Sequence, residues 1–237
     1  SADEDLYTNA LLINQPIPKR HGFDLRFELL KIYQTAQLSK PPKLSLDQLK
    51  LNFDPLDNNY GALVSYTQAL GNIATGEVKQ ASQQLQALSI QHPNATLIWY
   101  SWMHNLLSQN QTQAVLEQLQ SRRLQRREDS LSLWINALAL RKAAQPKASM
   151  QVLLTLLEAQ PTWAIGWRTV AEWSILDLRL QLNHMAQSKW HLLRGEAQLA
   201  LKQVQYASQQ QTDTQARSLL LQREKALRLI NDQAEFN

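Results

Sequence analysis

Five histidines, His21, His92, His104, His184 and His191, are the side chains best placed by type to hold a metal or move a proton near neutral pH. No two stand three to five residues apart, so no His-Glu-x-x-His helix sets two imidazoles and a general base around zinc. His184 and His191 fall two turns apart on one helix face, about 10 Å by the helical rise, too far to share an ion without a third element. They read as ordinary helix-surface or groove histidines, and His92, ahead of Pro93, as a solvated turn residue. The chain has no Cys, which removes thiolate nucleophiles, thiolate-held metals and disulfides. Its six glycines form no Gly-x-Ser-x-Gly elbow, phosphate-binding loop or dinucleotide fingerprint. The acidic groups Asp3/Glu4/Asp5 and Glu128/Asp129 fall where a terminus and a helix start would place them, and Glu128-Asp129-Ser130 suits an N-terminal cap. No residue set therefore asks for a catalytic centre, a cofactor or a metal, and the chain is expected not to be an enzyme.

Two further groups could recognise a partner. Arg122, Arg123, Arg126 and Arg127 in "SRRLQRRED" could contact phosphates or an acidic protein. They are read first as a solvated helix end that complements the dipole and interacts with Glu128 and Asp129. No aromatics interleave with them, and a net charge of +4, from 24 Lys and Arg against 20 Asp and Glu, is below what nucleic-acid binding asks for. An acidic protein partner is the better functional alternative. The second group is seven tryptophans, which serve both as binding hot spots and as filler between stacked helices. Trp167, followed by Val170 and Ala171, has the pattern of a structural residue; Trp99 and Trp134 remain open between core filling and a partner surface.

The elements that must position these residues are helices. Hydrophobic residues make up 44% of the 237, charged residues 19%, and six Gly and eight Pro are few for a sheet protein. From about Asn58 onward apolar residues recur three and four apart, as in "NYGALVSYTQAL" and "KQASQQLQALSI", with breaks at Ala74-Thr75-Gly76, Gln91-His92-Pro93-Asn94 and Ala159-Gln160-Pro161-Thr162. Helices of this length must pack on neighbours to be stable. No apolar run approaches the length of a transmembrane helix. The chain begins at Ser1, which reads as a processed product or an excised fragment.

Pro93 and Pro161 are separated by two periods of about 34 residues, a repeat length found among helical-hairpin arrays. Counting back 24, 12, 8 and 5 gives Ala69, Ala81, Leu85 and Leu88 from the first, and Ala137, Ser149, Leu153 and Leu156 from the second. Small residues match small where two helices cross, and Leu matches Leu in the groove beside them. Between them, "TLIWYSWMHNLLSQNQTQAVLEQL" offers a less regular unit, with Ala114 at the small second-helix position and Trp102 at the small first-helix position. In "WHLLRGEAQLALKQVQYA", Gly195 takes the turn, Ala200 the crossing and Ala207 the small position near the end. From Ser149 to Ala200 is one and a half periods, so an odd helix is expected to enter. Helices are expected near 164–177, 180–194, 196–209 and 212–231, the last a cap with Arg217, Arg223, Glu224, Lys225 and Arg228 on its wet face.

These segments resemble tetratricopeptide repeats. From about Asn14 to Ile230 the order of "INQPIPKR", "FDPLDNNYGALVSYTQALGNIATGEVKQASQQLQAL" and "WHLLRGEAQLALKQVQYASQQQTDTQARSLLLQREKALRLI" further resembles the C-terminal half of BepA-type periplasmic zinc metalloproteases, with Gln15-Pro16 where that family often has His-Pro. The resemblance implies an all-α, right-handed superhelical array of antiparallel helix hairpins over 58–237, closed by the capping helix, after a helical connector over 1–57 that includes "DEDLYTNALLI", "GFDLRFELLKIYQ" and the linker "SKPPKL". It implies a periplasmic module that docks protein or peptide segments, outer-membrane assembly components among them, in outer-membrane protein assembly and quality control. The alternatives are a repeat scaffold of another envelope system, such as cytochrome maturation, lipopolysaccharide or pilus assembly, and, more weakly, a hydrolase in its own right. In such arrays the first helix of each unit lines the concave face. That register places Tyr66, Leu70, Trp99, Met103, Trp134, Leu138, Arg141, Lys142, Arg168 and Glu172 in a partner groove running from apolar to basic.

Overall fold

The computed structural model describes Leu29, Ile32, Tyr33, residues 60–209 and residues 214–235. The rest of the expected connector over 1–57, with His21 and Asp3/Glu4/Asp5, lies outside the described residues; Leu29, Ile32 and Tyr33 are helical and buried. Two compact units divide at Gln145/Pro146, inside the expected repeat region. The first holds α1 (Tyr60–Ala74), α2 (Val78–Gln91), α3 (Thr96–Ser108), α4 (Thr112–Leu124) and α5 (Ser130–Lys142). The second holds α6 (Pro146–Ala159), α7 (Ala164–Leu176), α8 (Leu180–Leu193), α9 (Ala197–Gln209) and α10 (Thr214–Glu235). Among the described residues there is no strand, and the protein is an all-α helical repeat. In the first unit each helix packs on the next, and α3 also packs on α5; in the second, consecutive helices pack in order.

The repeat is written in the backbone turns. Gly76, Asn110, Ala144 and Leu178 adopt left-handed conformations, with φ of 88°, 59°, 56° and 57°, and each stands one repeat period after the last. Each closes its helix with the same pair of bonds. Gly76 N donates to Ile73 O and Glu77 N to Asn72 O; Asn110 and Gln111 donate to Leu107 and Leu106, Ala144 and Gln145 to Arg141 and Leu140, Leu178 and Arg179 to Ile175 and Ser174. This Schellman pairing satisfies carbonyls that a helix end leaves bare. Helix starts use local chemistry too. Asp129 caps α5 by accepting from Ser132 N at 2.8 Å, as its place in the sequence suggested. Pro146 opens α6, where its missing N–H is not needed.

The turns correct the sequence register in the middle unit and again toward the C-terminus. Tyr100, not Trp99, is the counterpart of Tyr66 and Trp134, and Val115, not Ala114, is the buried counterpart of Ala81 and Ser149. Met103, not Trp102, stands at the small first-helix position. No odd helix enters later. Leu178 keeps the phase set by Ala144, and Gly195 (φ 78°), at the α8–α9 turn, stands one period after Pro161 at the α6–α7 turn. The expected crossing residues Ala69, Ala81, Ala137, Ser149 and Ala200 are all buried, as are the leucines beside them. Ala200, Val204 and Ala207 of α9 form a core with Leu220 and Leu227 of α10. On α10, Arg217, Lys225 and Arg228 are exposed as expected, whereas Arg223 and Glu224 are half-buried and Leu219, Leu221 and Leu229 are open to solvent.

Candidate functional site

A recess of about 330 Å³ opens on the first unit between the end of α2, the start of α3 and the end of α4. Trp99 and Trp102 of α3 face Gln86, Ser89 and Ile90 of α2 and Gln118, Ser121 and Arg122 of α4, with Pro93, Gln125 and Arg127 at the turns. Arg122 is the distinctive member. The repeat phase aligns it with Leu88 and Leu156, both buried core leucines, and Arg122 itself is only 8% exposed. Its guanidinium is held on several sides: Nε donates to Ser132 Oγ (2.9 Å), Nη2 to Asp129 Oδ2 (3.1 Å) and Thr96 Oγ1 (3.3 Å), and the plane stands 4.4 Å over the Trp99 ring. Asp129 is fixed in turn by Ser132, through N and Oγ, both at 2.8 Å. The pairing of the arginine run with Glu128 and Asp129 is as the sequence suggested, Arg123 meeting Glu128 at 3.3 Å on the surface. Its reading as a solvated helix end fails for Arg122, because the cation has a fixed, buried set of acceptors.

The residues expected to line a groove are distributed differently. Tyr66 is completely buried and shares a 2.7 Å hydrogen bond with the Ser101 hydroxyl, and burial holds its phenol far above the usual tyrosine range. Met103 is likewise completely buried, while Leu70, Trp99 and Trp134 are within a tenth of full burial. Tyr100 meets Tyr33 edge to face at 6.3 Å, so the aromatic row of the first helices is covered there. Leu138 and Arg141 are half-buried. Lys142 is committed elsewhere: its ammonium donates to Leu107 O (2.8 Å) and Asn110 Oδ1 (3.1 Å), capping the end of α3. In the second unit Arg168 pairs with Glu172 (2.9 Å) and stands 6.0 Å over Trp190, whose ring also carries Arg194 at 4.9 Å. Of the expected residues the recess gathers Trp99 alone, and the sequence reading missed Trp102, Gln118 and the role of Arg122. The signal for Arg122 is its place in the repeat, where an arginine replaces a core leucine.

Trp167 is half-buried and its indole N–H closes the Pro161 turn by donating to Pro161 O at 2.9 Å, the structural role its sequence pattern suggested. Two histidines of the second unit are engaged locally. His184 Nδ1 is 2.8 Å from Gln203 Oε1, and His191 Nδ1 is 2.6 Å from Glu196 Oε2. The hydrogen bond from His191 holds the Glu196 carboxyl below the usual range, with Arg194 adding to it. Among the described residues no three His, Cys, Asp or Glu side chains gather as a metal site would need. No helix among them is long and apolar enough to cross a membrane. No protein-family model matches the chain, and a search of curated proteins finds no match.

Proposed function

We propose that the chain is a protein-binding repeat module of the tetratricopeptide kind, working through a surface rather than through catalysis, and that its partner enters the Trp99/Arg122 recess. The constant phase of the helix-end turns supports the repeat class. The observation that carries the site is Arg122: a cation built into a core-leucine position, held by Asp129, Ser132 and Thr96 beside two tryptophans. Recognition surfaces favour this combination of Arg and Trp in a partly closed depression. The order of segments from Asn14 to Ile230 supports placing the module in the periplasm beside a zinc metalloprotease of the BepA type, with outer-membrane assembly components as its partners.

The test is site-specific photocrosslinking of the chain expressed in the periplasm. A photoreactive residue at the recess rim, in place of Gln86 or Ile90, should give discrete adducts with an outer-membrane assembly component. The same group at exposed Glu158 or Leu221 should give none. Equal adducts at all four positions, or none at the rim, would overturn the site.

A further inference from the structure

Building on that docking reading, we infer that the recess recognises an acidic side chain within an extended protein segment, with Arg122 as its reader. Both charged residues that line it, Arg122 and Arg127, are cations, and no carboxylate lines it. Asp129 neutralises one of them from behind. Arg127 lies exposed at the mouth, with no ion-pair partner among the described residues, so the recess keeps a net positive charge. Arg122 spends Nε on Ser132 and Nη2 on Asp129 and Thr96, and Nη1 has no protein partner among the described residues. A guanidinium more than nine-tenths buried that retains N–H donors at a concave surface is suited to an entering anion, since a charged hydrogen bond out of bulk water outweighs a neutral one.

The other walls identify the anion as part of a polypeptide. Gln86, Gln118 and Gln125, with Ser89 and Ser121, supply carboxamides and hydroxyls that match the alternating N–H and C=O of an extended backbone. Ile90, 72% exposed, and Pro93 add an apolar rim for a neighbouring aliphatic or aromatic side chain. A nucleobase is a poor fit, because Arg122 already covers a face of Trp99 and Trp102 shows little surface. The recess is open to solvent across its mouth, so the segment continues past it rather than ending in it.

Three peptides titrated into the full chain test this: Ac-Ala-Leu-Glu-Ala-Ala-amide, the same peptide with Gln for Glu, and the Gln peptide with a free C-terminal carboxylate. Binding is read by calorimetry and by the Arg Nε–H and Trp indole NMR signals. The Glu peptide should bind about tenfold more tightly than the Gln amide, shifting the Arg122 signal. Arg122→Leu, which installs the residue found at Leu88 and Leu156, should abolish that preference, and exposed Arg127→Ala should weaken it severalfold without touching the core. If Glu and Gln amides bind equally at the Trp99 indole, the acidic-side-chain inference fails while peptide docking stands. Binding of the free-acid peptide alone would likewise sink it, moving recognition to chain ends. If no peptide moves the Trp99 or Trp102 signals at millimolar concentration, the docking site itself is refuted.

Discussion

Gly166 sits in the first turn of α7, and the reason it must be glycine lies next to it. Trp163, the N-cap residue of α7, is buried, and a β-carbon added to Gly166 would lie 2.4 Å from Trp163 Cε3, 2.8 Å from Cζ3 and 2.6 Å from Leu157 Cδ2. Real β-carbon contacts essentially never fall below 3.0 Å. The leucine methyl can swing away, but the bulky indole is buried and has little room to turn. Gly166→Ala therefore sets two effects against each other. Helix propensity favours Ala by about 1 kcal/mol, and overpacking costs about 1–3 kcal/mol. With a rigid ring as the obstacle the clash prevails, and a net loss of about 1–2 kcal/mol is expected, roughly 2–8 °C in melting temperature for a chain of this size.

Gly71 supplies the control, because it lies in α1 and a β-carbon added there would meet no atom within 4 Å beyond its chain neighbours and its own helix backbone. Gly71→Ala keeps the propensity gain without the clash and should stabilise by up to about 1 kcal/mol. Helical circular dichroism followed through urea and thermal unfolding measures both variants. Opposite signs are expected. A Gly166→Ala protein at least as stable as the parent would show that the indole does not lie on Gly166 as described, and would overturn with it the packing of the α6–α7 turn.

Three further outcomes follow from other parts of the fold. Ala144→Gly and Leu178→Gly should each stabilise by about 1 kcal/mol, since both positions hold a left-handed backbone that costs an L-residue about that much; melting curves check it, and losses at both would refute the turn assignment. Tyr66→Phe removes the phenol that satisfies the buried Ser101 hydroxyl and should cost about 1–2 kcal/mol by urea unfolding. Glu196 has a depressed folded-state pKa from the His191 hydrogen bond, so its contribution is present above the ordinary glutamate range and is lost as pH falls through the folded value. Glu196→Gln should flatten that acid limb by lowering stability above the glutamate range, while leaving the acid end, where the carboxyl is protonated, nearly unchanged.

The helices were legible because their apolar spacing is strong, and the crossing positions because Ala and Leu recur in register at Ala69, Ala81, Leu85 and Leu88 and again at Ala137, Ser149, Leu153 and Leu156. What the residues concealed was the phase of the turns. A left-handed turn announces itself when the residue is glycine, and only Gly76 and Gly195 do so. Those two belong to different places in the hairpin, one at the α1–α2 turn and one at the α8–α9 turn, so the half-period between Ser149 and Ala200 suggests an extra helix where a second helix is only being compared with a first. Ala144 and Leu178 adopt the same backbone with no compositional mark, and Asn110 gave the one available hint. The middle unit slipped by one residue for a related reason: Met103 and Val115 stand where Ala was sought. The groove reading was limited by burial, since a side chain's place on a helix face does not say whether another segment covers it, as Tyr33 covers Tyr100.

Arg122 shows what the repeat register adds to the charge cluster around it: an arginine where the aligned positions hold buried leucines. A leucine there would bury its side chain as Leu88 and Leu156 do, gaining about 1.5–3 kcal/mol from removal of apolar surface. A buried Arg–Asp pair returns little net stability, because desolvating two charges offsets most of their attraction. The fold therefore has no need of a cation at this position, and the hydrogen bonds to Ser132 and Thr96 reduce the cost of keeping one without making it an advantage. Arg122→Leu should accordingly fold at least nearly as well as the parent, because Asp129 keeps its two bonds to Ser132 and retains access to water. Stability held while discrimination between Glu and Gln peptides disappears would separate the two roles. A large loss of stability would instead make the Arg122–Asp129 pair a structural tie between α4 and the start of α5, with the recess as its by-product.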